Sequence, residues 1–303
     1  MKHFAIYILT FLLFPFKTVN KKEALLLISK EYFPDNYVLL KEYPDSFFDF
    51  LLKGDSISEY VFGLTTIVHE AFHLYESAHN SSDTIRQYRI NDSLTIFINK
   101  FSSYPCLEIN KIAPPLDRQK VFRYNTYINN KDIKHDTQQH GFLGLIGENV
   151  AYYQEFKAYN ALFKFLKDKY GWADAELWRR YLGETGSVRY SLLEFKLFIS
   201  WYLQFAKTAH PTIYKKIISD KNIQKIYTLL ESEGDRLTKE YDSNRTEIIK
   251  QLGQKAKVLE GNFTVIKSGF STGLHDKEMQ NMIFLLSKPE HKILTVLKTS
   301  QTK

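Results

Sequence analysis

The stretch Val61-Phe62-Gly63-Leu64-Thr65-Thr66-Ile67-Val68-His69-Glu70-Ala71-Phe72-His73-Leu74-Tyr75 sets the reading of the whole chain. Val61, Leu64, Thr65, Val68, Phe72 and Tyr75 recur three and four residues apart, the spacing that lines one face of an α-helix. Asp55 or Ser56 can cap its start, and the helix is expected to run to about Ala78 and stop near Asn80-Ser81-Ser82. Inside it, His69-Glu70-Ala71-Phe72-His73 forms the pattern H-E-x-x-H. Residues four apart stand one turn apart on the same face, so both imidazoles can reach one ion. Glu70, beside the first histidine, is placed to take a proton from water on that ion. With 9 His in 303 residues, chance yields only about 0.02 such patterns. Zinc is the expected metal, because it favours nitrogen ligands and its catalytic sites keep one position open.

A third ligand is required, and three residues compete for it. His79 stands ten residues after His69, the spacing of the metzincin pattern, but Glu76 occupies that pattern's glycine and continues the helix past the turn. The other two lie in Gly147-Glu148-Asn149-Val150-Ala151-Tyr152-Tyr153-Gln154-Glu155. This segment resembles the third-ligand helix of gluzincin peptidases such as the zinc aminopeptidases, with Glu148, Ala151, Tyr153 and Glu155 at the matching positions. The resemblance implies a zincin-like helical catalytic domain, zinc held by His69, His73 and Glu148, and peptide hydrolysis. It covers about 25 residues of the 303, so it describes a type of site. Asn149 replaces the family's glycine, 74 residues separate His73 from Glu148, and no G-x-M-E-N motif precedes His69. Glu155, two turns after Glu148, faces the same way; it is expected to orient a ligand imidazole, or to replace Glu148 as ligand.

Hydrolysis also calls for a donor to the developing oxyanion. Tyr190, in Gly186-Ser187-Val188-Arg189-Tyr190, is the expected donor. Arg189 is a candidate for a substrate carboxylate and His140 for a place lining the site, each against a plainer reading as a surface or loop residue. Asp92 reads as part of a turn rather than a ligand.

The remaining chain reads as mainly α with a small β component. Ile85–Ile90 and Leu94–Ile98 flank Asn91-Asp92-Ser93, a hairpin signal; either strand could offer a substrate its edge. Helices are expected over Glu23–Glu31, Leu116–Ile128, Phe142–Lys169, Ala173–Leu182, Ser187–Lys207, Pro211–Ser219, Asn222–Leu252 and Asp276–Leu286. Strands are expected over Tyr37–Leu40, Phe263–Ile266 and Ile293–Leu297. The domain division is residues 21–253 for the metallopeptidase domain and 254–303 for a small α/β appendage, which can equally belong to the same domain.

Lys2 and His3 precede an apolar run from Phe4 to Phe16, the form of a secretory signal peptide over residues 1–20, although no small-x-small triplet follows. Export, with no stable membrane span after signal removal, is therefore expected. The single cysteine, Cys106, excludes an intramolecular disulfide framework and a multi-thiolate zinc site. The formal charge of +7 is spread along the chain rather than clustered, which argues against a nucleic-acid partner. The expected function is a zinc-dependent hydrolase, a peptidase acting on peptide or protein substrates. Two alternatives stand beside it: a secreted metal-binding or scaffold protein without turnover, and a zinc hydrolase with a non-peptide substrate.

Overall fold

The computed structural model describes residues 20–52, 56–79 and 84–298. Residues 1–19 of the signal-peptide segment, Asp55 and the helix stop at Asn80-Ser81-Ser82 lie outside these residues. Among those described, the architecture is mainly α with two small antiparallel sheets, 72% helix against 9% strand. No helix among them is long and apolar enough to cross a membrane.

Three short helices open the fold: α1 (Lys21–Tyr32), α2 (Pro34–Leu40) and α3 (Asp45–Leu51). The expected strand at Tyr37–Leu40 is thus helical. Pro34 supplies the first turn with a preset φ, and the buried residues Asn36, Leu39 and Leu40 fall at helical spacing. The long helix α4 (Ile57–His79) follows. Its start is a capping box: Glu59 reaches back to accept the Ser56 backbone N–H at 3.0 Å and the Ser56 hydroxyl at 2.9 Å. Val61, Leu64, Thr65, Val68 and Phe72 are all buried on it.

Strands β1 (Ile85–Asn91) and β2 (Leu94–Asn99) pair as the expected hairpin. Asn91 closes the turn by accepting from the Ser93 N–H at 3.0 Å. A 3₁₀ turn (Cys106–Lys111) and three single-turn helices follow, α5 (Pro115–Arg118), α6 (Tyr124–Tyr127) and α7 (Asp136–Gln139). The continuous helix expected over Leu116–Ile128 is therefore broken. The break has a cause: the backbone N–H groups of Phe122 and Arg123 turn onto the buried carboxylate of Glu194, and the Lys120 carbonyl accepts from the Tyr190 hydroxyl at 2.5 Å.

The central pair is α8 (Phe142–Tyr170) and α9 (Ala175–Ala209). Buried side chains surround α8 on nearly every face, as expected for a helix through the middle of a core. It packs against α4 on one side and α9 on another. The helices expected over Ala173–Leu182 and Ser187–Lys207 are one, and α9 runs unbroken through Gly183 and Gly186. Gly183 serves packing. A Cβ on Gly183 would sit 2.1 Å from Thr272 Oγ1, so the glycine admits a neighbouring strand.

The fold closes with α10 (Pro211–Ser219), α11 (Lys221–Leu252), a sheet in the order β3 (Ala256–Leu259), β4 (Asn262–Val265), β5 (Ser271–Gly273), and α12 (Asp276–Leu286). β4, β5 and α12 all pack on α9. The strand expected at Ile293–Leu297 is part of a 3₁₀ segment, Pro289–Leu297, with His291, Leu294 and Leu297 buried. A burial period of three matches the three residues per 3₁₀ turn.

Candidate metal centre

α4 and α8 bring together the residues singled out from the sequence. Ligand atoms of His69, His73 and Glu148 all lie within 4.8 Å of one another. The two Nε2 atoms are 3.1 Å apart, and Glu148 Oε2 stands 3.3 Å from that of His73 and 3.8 Å from that of His69. His69 and Glu148 are buried, while His73 is half-buried. Since α8 packs across α4, the glutamate arrives opposite the face that carries both histidines, which explains how residues distant in sequence meet.

The orientation of His69 is set from behind. Its Nδ1 lies 3.2 Å from Glu155 Oε2. With Nδ1–H donated to that carboxylate, Nε2 keeps its lone pair and faces the cluster. Tyr152, one turn from Glu148, packs edge-on against the same imidazole with ring centroids 4.6 Å apart. Glu155 thus pairs with His69, one of the two imidazoles of the H-E-x-x-H pattern.

Glu148 Oε2 is buried and has no permanent donor among the described residues; His73 Nε2, at 3.3 Å, donates to it only when that nitrogen is protonated. Leaving a buried polar group unsatisfied costs about 1–3 kcal/mol, and more for a charged one. Two imidazole nitrogens and one carboxylate oxygen at this spacing form a donor set suited to a divalent cation, and this oxygen is the group that such an ion satisfies. The electrostatics agree. Burial opposes charging His73, but the adjacent Glu148 carboxylate, helped by Glu76 and Glu70, outweighs it and lifts the His73 pKa to about 9. The cluster favours a positive charge.

A cleft of about 340 Å³ opens beside the cluster, and His69 and Glu70 form part of its wall. Glu70 is half-buried and makes no ion pair or hydrogen bond among the described residues. The opposite walls carry Arg123, Tyr127, Tyr152, Tyr159, Glu184 and Ser187. Arg123 donates from Nη1 to Glu194 at 2.8 Å and from Nε to the Tyr152 hydroxyl at 3.1 Å. The Tyr152 and Tyr127 hydroxyls are hydrogen-bonded at 3.0 Å. Burial pushes the Tyr127 pKa far above the usual phenol range, with the Glu148 charge adding to the effect, so the group stays protonated.

Tyr190 is not among the residues lining this cleft. Its side chain is 1% exposed, and its hydroxyl is committed to the Lys120 carbonyl. It straps the α5–α6 connection to α9. His79 is exposed, stacked on Tyr75 and bonded to the Tyr75 carbonyl at 2.9 Å. Asp92 pairs with Arg89 at the hairpin turn, Arg189 pairs with Asp242 at 2.7 Å, and His140 lies 3.9 Å from Asp136. None of the four reaches the cluster or lines the cleft, and neither does any residue of β1 or β2. Cys106 is buried, its thiol directed at the Gly141 carbonyl.

Sequence reasoning missed Arg123, Tyr127 and Tyr152. Tyr152 carried a usable signal, four residues from Glu148 and so on the same helical face. Arg123 and Tyr127 carried none, because only the break in the helix expected over Leu116–Ile128 brings them to the cleft. Compared with known proteins, the chain matches no family model, no curated protein and no solved structure.

Proposed function

We propose that the protein is a zinc-dependent hydrolase of the H-E-x-x-H type, resembling gluzincins in its third ligand, and that it cleaves amide bonds in peptides. The observation that carries this reading is the meeting of His69, His73 and the Glu148 oxygen beside a cleft that also contains Glu70. His69, His73 and Glu148 would hold the ion. When bound there, zinc lowers the pKa of water and polarises a carbonyl. Glu70, the one carboxylate at the cleft with no protein partner, is the general base that receives the proton of the attacking water and passes it to the leaving nitrogen. Glu155 keeps His69 in the tautomer that presents Nε2. The oxyanion donor expected of Tyr190 is reassigned: Tyr127 and Tyr152 are protonated hydroxyls in the cleft wall, polarised by Arg123 through Tyr152.

The residues lining the cleft come from helices α4, α6, α8 and α9, with Arg123 at the N-cap of α6. Helical backbone groups are already paired, so a substrate here is recognised by side chains rather than by strand addition. A cleft of about 340 Å³ is at the small end of ligand sites, which favours short peptides.

The test is Glu70→Gln. The zinc content of the purified variant should equal that of wild type, while turnover of a peptide library falls by about 10²–10⁴-fold. A variant that retains zinc and full activity would overturn the role of Glu70. An exported metal-binding protein without turnover is the reading that remains if zinc is bound and wild type cleaves nothing.

A further inference from the structure

A second cavity, of about 480 Å³, lies between α9, α11, α12 and the terminal 3₁₀ segment. Leu192, Leu193, Leu230, Ile283 and Leu294 give it a mostly apolar wall. On α11 the wall is opened by Gly234, where the nearest atom to an added Cβ is Leu192 Cδ1 at 3.8 Å. That is an ordinary van der Waals contact, so a side chain can be built there beside Leu192 without a clash.

Polar groups in this cavity are unbalanced at its rim. Asn149 lines it from α8, with only 4% of its surface exposed. At the rim, Lys196 and Lys298 converge on one carboxylate, Glu231, at 3.1 and 2.6 Å. Lys292 adds a third ammonium with no ion pair among the described residues. Asp235 is the other carboxylate of the lining, and Arg189 is neutralised by Asp242. Three lysines therefore face two carboxylates, leaving the rim net positive.

We infer that this cavity is a binding site for an amphiphilic carboxylate, an unbranched acyl chain lying along the leucines with its carboxylate at the Lys196, Lys292 and Lys298 rim. The site is separate from the His69 cleft: the two share no lining residue. It touches the metal centre through sequence alone, since Asn149 follows the ligand Glu148 on α8 and faces away from it.

Calorimetric titration of the intact protein with decanoate, and with decan-1-ol as the uncharged control, tests the inference. Decanoate should bind at one molecule per chain and at least about 10-fold more tightly than decan-1-ol, as expected for a ligand held by charge as well as apolar contact. Gly234→Leu fills the cavity and should weaken both ligands by about 10-fold or more. Lys292→Glu alters an exposed residue; it should weaken decanoate several-fold and leave decan-1-ol unchanged, so it decides the matter even if Gly234→Leu fails to fold. Absence of saturable binding, equal affinity for both ligands, or binding insensitive to both substitutions would overturn the site.

Discussion

Two polar clusters lie within one tyrosine ring of each other, and they are built on opposite terms. Around Glu194, a fully buried carboxylate, both oxygens are taken: Oε2 by Arg123 Nη1 at 2.8 Å, and Oε1 by the backbone N–H groups of Arg123, at 3.1 Å, and Phe122. Burial pushes the Glu194 pKa up, against the pull of Arg123, yet each acceptor has its donor. Around Glu148 the pairing depends on protonation. Two imidazole nitrogens and a carboxylate oxygen approach one another, and the oxygen is met by His73 Nε2 at 3.3 Å, a donor only when that nitrogen carries a proton. A cluster that satisfies itself holds the chain in place; one that does not keeps coordinating capacity for a ligand. Tyr190, Arg123 and Glu194 thus order the connection between α5 and α6, whereas His69, His73 and Glu148 are spaced for an ion.

Breaking each cluster should have a different consequence. Glu194→Ala leaves a guanidinium and two backbone N–H groups without their acceptor. It should lower unfolding free energy by about 3–5 kcal/mol, measured by urea denaturation; a loss below about 1 kcal/mol would show that the pair is replaceable by solvent. Glu155→Gln removes the charge behind His69 but keeps its shape. It should weaken zinc binding by about 10–100-fold in competition with a chelator, with little effect on stability. Unchanged affinity would make Glu155 a bystander. Tyr190→Phe removes one hydroxyl from the Lys120 carbonyl and should cost about 1 kcal/mol of stability while leaving zinc content and peptide turnover as in wild type. Loss of turnover with stability intact would return Tyr190 to the catalytic machinery.

The half of the site carried by local periodicity was legible. The H-E-x-x-H helix shows in the recurrence of Val61, Leu64, Val68 and Phe72, and that pattern alone places His69 and His73 side by side. Glu148 and Glu155 were legible through the resemblance of their segment to the third-ligand helix of gluzincins, with which their shared helix face and the small residue Ala151 agree. What escaped depended on tertiary contacts. Tyr37–Leu40 is β-prone in composition but folds as helix behind Pro34, and Ile293–Leu297 is apolar at a period of three that a strand reading mistakes for two. Gly183 punctuates the sequence without ending a helix, because its missing Cβ makes room for Thr272. Tyr190 was chosen for its place in the chain; only the path of the α5–α6 connection assigns its hydroxyl elsewhere.

The central claim is that His69, His73 and Glu148 hold one metal ion. Elemental mass spectrometry of the purified protein, wild type beside His69→Ala and Glu148→Ala, tests it most directly. The account predicts about one zinc per wild-type chain and loss of that zinc in both variants, each of which removes one of the three protein ligands that such a site needs. Zinc retained by Glu148→Ala would move the third ligand to another residue, and no zinc in wild type after reconstitution would contradict the metal centre itself.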